Sequence, residues 1–225
     1  MKFEYKRVTL FAGHYGSGKT NLAVNYALYL RGEGREVMVA DLDIVNPYFR
    51  TKDSEQALNR AGIRLISSKY ANSNVDVPSL PGEAYAIIDR KDMYAVADVG
   101  GDDRGALALG RYSPAIIEEG DYEFIFVINR FRPRTRTAED TLEVMREVER
   151  AASMKFTAIA NNSNLGAETT PEDVLSSVGY AEEVSGRSGL PVKLTSVREE
   201  LAGELEGRIS GLYPIKLYLK SEWVL

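Results

Sequence analysis

Eight consecutive residues constrain this chain more than any other feature: Gly13-His14-Tyr15-Gly16-Ser17-Gly18-Lys19-Thr20 matches the pattern G-x-x-x-x-G-K-[ST], which carries meaning only between a strand and a helix. That context is present. Arg7-Val8-Thr9-Leu10-Phe11-Ala12 precedes the pattern as a short β-rich run, and apolar residues recur at helical spacing from Lys19 to Leu30 until Gly32 and Gly34 stop them. Gly13, Gly16 and Gly18 permit a backbone that turns the N–H groups of the loop, those of His14, Tyr15 and Ser17 included, toward bound phosphates, and the helix beginning at Lys19 adds its positive end. Lys19 is expected to reach the outer phosphates and Thr20 to offer its hydroxyl to Mg²⁺, with Asn21 completing the cofactor-binding set.

The rest of the chain alternates short apolar runs with helical patterns. Strands are predicted over Glu36 to Ala40, Ile63 to Ile66, Tyr94 to Ala97, Tyr122 to Ile128 and Phe156 to Ala160. The clearest helix runs from Thr137 to Ala152, where Thr137 and Asp140 suggest a capped start and Leu142, Met145 and Val148 form an apolar stripe. Ile215 to Lys220 alternates apolar and polar residues and predicts an edge strand; Ala71 to Gly82 predicts a surface loop. Strands alternating with helices predict an α/β fold, a mostly parallel twisted sheet of about seven or eight strands with helices on both faces. At 225 residues and no compositional break, a single nucleotide-binding domain over residues 1–225 is expected.

Composition narrows the chemistry. The 28 basic and 33 acidic residues give a net charge of −5, which argues against nucleic acid or an anionic membrane as partner. There is no cysteine and one histidine, so disulfides, thiol nucleophiles and Cys-ligated zinc or iron–sulfur clusters are excluded. No segment approaches the ~20 apolar residues of a membrane span, and the N-terminus lacks an apolar signal core. A cytoplasmic protein is expected.

Two carboxylate clusters accompany the loop. Asp41-Leu42-Asp43 ends the second predicted strand and Asp98-Val99-Gly100-Gly101 the fourth. Carboxylates at strand ends beside a phosphate loop suit metal and water positioning, which makes Asp43 and Asp98 metal candidates and Asp43, with Lys19, a catalytic one. Gly100 and Gly101 let backbone N–H groups approach a terminal phosphate. Taken singly, each cluster also reads as a helix cap or turn.

These residues together resemble the MinD/ParA/Mrp ATPases and their cobyrinic acid diamide synthase-like relatives, a P-loop NTPase family, over nearly the whole chain. The resemblance implies ATP and Mg²⁺ as cofactors, Asp43 as the switch I carboxylate, and Asp98 to Gly101 as switch II. It further implies Asn161, in Ala158-Ile159-Ala160-Asn161-Asn162-Ser163, as a reader of the adenine edge, and Ser196 in a later loop, Leu190 to Arg198, that covers the base. Members usually carry Gly-Lys-Gly-Gly-x-Gly-Lys-[ST], whose first Lys reaches across a homodimer. His14-Tyr15 stands in its place here. A protonated His14, reference pKa ~6.5, would supply part of that charge; the alternative is that its backbone N–H does the work and its ring faces solvent.

Arg130, Arg132, Arg134 and Arg136 concentrate charge after the fifth strand and read as a solvated loop, with an acidic partner or nucleic acid as the alternative. Arg50 and Arg104 lie beside the two proposed switches as candidate cis arginines. The expected function is a slow, Mg²⁺-dependent ATPase switching an unidentified protein partner. An ATP-dependent small-molecule ligase or kinase is the enzymatic alternative.

Overall fold

The computed structural model describes residues 4–43, 52–67, 82–101 and 103–218, apart from the side chains of residues 52, 53, 103 and 104. Its strands are β1 (Val8–Ala12), β2 (Val37–Leu42), β3 (Arg64–Ile66), β4 (Tyr94–Val99), β5 (Tyr122–Ile128), β6 (Ala158–Asn161), β7 (Val192–Arg198) and β8 (Leu212–Ile215). They form one 8-stranded sheet in the order β3-β2-β4-β1-β5-β6-β7-β8, and every adjacent pair is parallel. The α-helices are α1 (Lys19–Gly32), α2 (Lys52–Arg60), α3 (Ala86–Asp89), α4 (Asp103–Leu107), α5 (Ser113–Glu119), α6 (Ala138–Ala152), α7 (Pro171–Ser176), α8 (Val178–Ser188) and α9 (Glu199–Leu205).

Alternate side chains of each strand enter two different cores. On one face Leu10, Ala40, Ala97 and Phe126 pack against Leu109, Leu142, Val148 and Val184 from the region of α4 to α8. On the other, Phe11, Val39, Val96 and Ile125 pack against Leu22, Tyr26 and Leu30 of α1 and Leu58 of α2. Covering both faces removes the polar alternation of a half-exposed strand, which is why β1 is buried at all of Val8–Ala12. A parallel sheet so covered gathers the loops that follow its strands at one edge, where α/β folds bind ligands.

α6 begins as its sequence predicts, with Asp140 N donating to the Thr137 side chain at the N-cap. Just before β1, the Arg7 guanidinium donates to both carboxylate oxygens of Glu119 at the end of α5. It also donates to the carbonyls of Ile87 (3.0 Å) and Arg90 (3.2 Å).

Two segments differ from expectation. Leu190 to Arg198, expected as a loop, contains β7, in which Thr195 and Ser196 are buried. These hydroxyl-bearing residues hid the strand: a buried polar side chain is admitted where it is hydrogen-bonded inside. The edge strand expected over Ile215 to Lys220 ends instead at Ile215. Beyond it, side chains of α1 replace a strand partner. Asn25 Oδ1 accepts from Lys216 N (2.9 Å), Asn21 and Asn25 both donate to the Lys216 carbonyl (2.9 Å each), and Asn21 Oδ1 accepts from Tyr218 N (2.8 Å). Residues 219–220 of that expectation lie outside the described residues, as do Arg50 and residues 71–81 of the expected surface loop.

Candidate functional site

The loop from Gly13 to Gly18 connects β1 to α1 at the edge of the sheet where its parallel strands end. Ser17 N donates to the His14 carbonyl at 2.9 Å, closing the turn. Gly18 caps α1 at φ +84°, a left-handed conformation that favours glycine, and a Cβ there would stand 2.3 Å from Asn162 Nδ2. His14 is half-buried and Tyr15 and Gly16 are exposed, whereas Ser17, Lys19 and Thr20 are buried.

The neighbouring strand ends close the site from below. Asp41 and Asp98 lie side by side in the register of β2 and β4. Lys19 Nζ donates to Asp43 Oδ2 at 2.9 Å, and Asp43 N donates to Asp41 Oδ1 at 3.1 Å. Thr20 Oγ1 donates to Asp98 Oδ2. Burial by itself would lower the Lys19 pKa, but the carboxylates of Asp98 and Asp43 raise it well above the ordinary value, with Asp41 adding to them. For Asp98 the same burial works upward: its carboxyl is pushed up to about 6, Lys19 opposing and Asp43 reinforcing the shift.

The donors present fit a small divalent cation. Asp98 Oδ1 is buried with no hydrogen-bond partner among the described residues, and a buried unsatisfied acceptor costs free energy that an oxygen-seeking cation relieves. Among the described residues no three His, Cys, Asp or Glu side chains form a metal-holding group. The oxygen donors of Thr20 and Asp98 suit a hard ion such as Mg²⁺, which takes few protein ligands and keeps waters or phosphate oxygens for the rest.

Gly100 and Gly101 follow β4 directly. A Cβ on Gly101 would fall 2.0 Å from the Gly13 carbonyl oxygen; only a bare backbone fits against the phosphate loop at that point. The side chains of Asp103 and Arg104, which follow, are not among those described.

The other sequence-predicted residues are placed differently from Lys19, Thr20, Asp43 and Asp98. Asn21 turns to the segment after β8, as above. Asn161 is fully buried, its Nδ2 donating to Ser177 Oγ (2.8 Å) and its Oδ1 accepting from Ser163 N (3.2 Å). Ser196 donates to Asn162 Oδ1. Sequence reasoning did not single out Asn162, yet its Nδ2 donates to the Ser17 carbonyl at 2.6 Å and so braces the loop from β6. It read Arg132, with the other arginines of that turn, as part of a solvated loop, whereas its Nε donates to the Gly16 carbonyl at 2.9 Å. The signals were there, a second Asn after the strand and an arginine-rich turn, but neither type of residue is specific on its own.

No protein-family model matches the chain, and no curated protein matches it in sequence. Solved structures of similar fold include the signal recognition particle receptor FtsY from Elizabethkingia anophelis, with 19% identity, TM-score 0.55 and coverage of 89% of this chain and 61% of that one. The cell division protein FtsY from Thermotoga maritima gives 20%, 0.56, 87% and 63%, and chloroplast FtsY from Physcomitrella patens 18%, 0.58, 87% and 59%. The chain thus spans about three fifths of the length of these structures. With the parallel sheet and the loop between β1 and α1, they place it in the α/β P-loop NTPase fold. Among the described residues no helix is long and apolar enough to cross a membrane.

Proposed function

We propose that the chain is a slow, Mg²⁺-dependent nucleoside triphosphatase that uses ATP and acts as a nucleotide-dependent switch on a protein partner. The observation that carries this reading is the meeting of Lys19, Thr20, Asp43 and Asp98 directly beneath the glycine loop. Lys19, kept charged, takes the outer phosphate oxygens. Thr20 and Asp98 hold Mg²⁺, which neutralises charge on the phosphate chain when bound. Asp43 exchanges its hold on Lys19 for the attacking water, which it orients toward the terminal phosphorus.

The switch follows from Gly101. Its backbone rests on the Gly13 carbonyl, so a terminal phosphate arriving at the loop changes what residues 100–101 touch and, through them, the helix α4 that follows. By this reading β6 and β7 end beside the base, where Asn161 orders Ser163 and Ser177 and Ser196 orders Asn162.

GTP is the second reading, because one neighbour of similar fold, FtsY of Elizabethkingia anophelis, is solved with GDP at TM-score 0.50 and 16% identity. Calorimetric titration of the protein with ATP and with GTP, each with and without Mg²⁺, decides between them. Tighter Mg²⁺-dependent binding of ATP is expected. Tighter GTP binding overturns the choice of base, and binding of neither overturns the reading as a whole.

A further inference from the structure

Carboxylates outnumber the cation beneath the loop. Lys19 is the cation beneath it, but Asp43 holds that ammonium directly and Asp98 and Asp41 face it. Hydrolysis of a triphosphate spreads further negative charge over the transferring group, and a second cation at that point is worth several orders of magnitude in rate. Arg50 lies outside the described residues and the Arg104 side chain is not described.

Arg132 is differently situated. Its Nε reaches the Gly16 carbonyl across 116 residues of sequence, and a Cβ on Gly16 would stand 3.2 Å from that nitrogen. The guanidinium therefore lies against the crest of the phosphate loop itself. Its neighbours in the turn are employed elsewhere: Arg130 donates to the Ser176 carbonyl, and Arg134 pairs with Glu147 at 3.3 Å. Arg136 lines a cavity with Arg187 and Glu183, where Glu183 pairs Arg187 at 2.6 Å.

The turn that carries Arg132 is rigidly built. Asn129 and Thr135 are fully buried. Thr135 Oγ1 donates to the Asn129 carbonyl (2.7 Å), Phe131 N donates to Asn129 Oδ1 (3.0 Å), and Arg132 N donates to the Asn129 carbonyl (3.1 Å). A fixed base with a long side chain at the loop crest is the arrangement by which a cation is delivered without loop closure. Apart from Nε, the guanidinium makes no hydrogen bond among the described residues, which leaves its two terminal amino groups as donors.

We propose that Arg132 is a catalytic residue supplied in cis: its terminal amino groups bind oxygens of the terminal phosphate of a nucleoside triphosphate seated on Gly13 to Thr20. The proposal rests on the reading of that loop as a triphosphate site. In the reaction the oxygen of a water bonds to the terminal phosphorus as the bond to the bridging oxygen breaks. The nucleoside diphosphate leaves with the electron pair, and the water's proton passes to solvent. Arg132 stays charged throughout and offsets the charge on the equatorial and bridging oxygens. A diphosphate offers it nothing to bind, so the residue also separates triphosphate from diphosphate.

The test compares wild type, Arg132→Ala and Arg132→Lys in single-turnover hydrolysis with Mg²⁺ and whichever of ATP or GTP binds more tightly. Calorimetry with the matching diphosphate and a non-hydrolysable triphosphate accompanies it. For Arg132→Ala we expect hydrolysis to fall about 10³-fold, triphosphate affinity to fall, and diphosphate affinity to stay at the wild-type value. Added guanidinium ion should restore part of the rate, and Arg132→Lys should lie between. An Ala variant that hydrolyses at the wild-type rate overturns the proposal. So does one that loses di- and triphosphate affinity equally, which would assign Arg132 to loop structure. Wild type that binds no nucleotide overturns the underlying triphosphate reading and this proposal with it.

Discussion

Lys19 Nζ and Asp43 Oδ2 stand 2.9 Å apart with both side chains about nine-tenths buried, so the cation of the phosphate loop and the carboxylate at the end of β2 neutralise one another. Removing either takes from a buried charge its direct hydrogen-bonded counter-ion, which is costly in a dry site. Lys19→Ala is therefore expected to lose Mg²⁺-nucleotide binding. Asp43→Asn should bind triphosphate at least as tightly as wild type, since phosphate no longer competes with a carboxylate for Lys19, while turnover falls ~100-fold or more. Calorimetry and phosphate release on both variants, with folding checked by circular dichroism, measure this. An Asp43→Asn protein with wild-type turnover removes Asp43 from the chemistry.

Asn162 braces the loop through the Ser17 carbonyl. Replacing it with Ala strips the Ser17 carbonyl and the Ser196 hydroxyl of a buried partner, which costs about 1–3 kcal/mol in urea unfolding. Because the Ser17 peptide then relaxes, triphosphate and diphosphate affinities should fall by similar factors. This separates Asn162 from Arg132, whose loss is expected to affect the triphosphate alone. Unchanged nucleotide binding in a destabilised Asn162→Ala would show that the loop holds its shape without this brace.

The Arg7–Glu119 pair sets an acid limit on stability. Hydrogen bonding to Arg7 holds the Glu119 carboxyl below its usual range against the opposing effect of burial, with Lys91 assisting. A carboxyl whose folded pKa is depressed contributes its full stability above the unfolded value, ~4.3, and that contribution drains away as pH falls through the folded value. Glu119→Gln should cost about 1–3 kcal/mol at pH 7, because Arg7 loses its charged partner and keeps only backbone carbonyls, and should flatten the stability profile below pH ~4. Urea unfolding at graded pH reads both. Equal stability of the two proteins at pH 7 would show that the pair is only geometric.

Much of this was legible in sequence because its determinants are local. Tyr122–Ile128 is a strand at the limits its apolar run suggests, and the phosphate loop carries its glycines, lysine and threonine in eight adjacent positions. Asp43 and Asp98 follow from the same logic: a parallel sheet brings strand ends together, so carboxylates there converge on the loop. Asn162 and Arg132 were not legible, since each reaches the loop through one hydrogen bond to a backbone carbonyl, across 145 and 116 residues. Such a contact needs no particular neighbour in sequence. β7 was obscured for a related reason: Thr195 and Ser196 look like loop residues until Asn162 gives the Ser196 hydroxyl a buried partner.

The asparagine clamp on the segment after β8 bears on how the chain reaches its native state. Asn21 and Asn25 sit on the helix that carries Lys19 and Thr20, yet their partners Lys216 and Tyr218 lie 191 to 197 residues downstream. In a chain made from its N-terminus, these carboxamides can meet their downstream partners only once residue 218 has been made. Contacts of such long sequence separation form late and slow the final step of folding. The helix that carries Lys19 and Thr20 is thus among the first elements made and among the last to gain all its contacts.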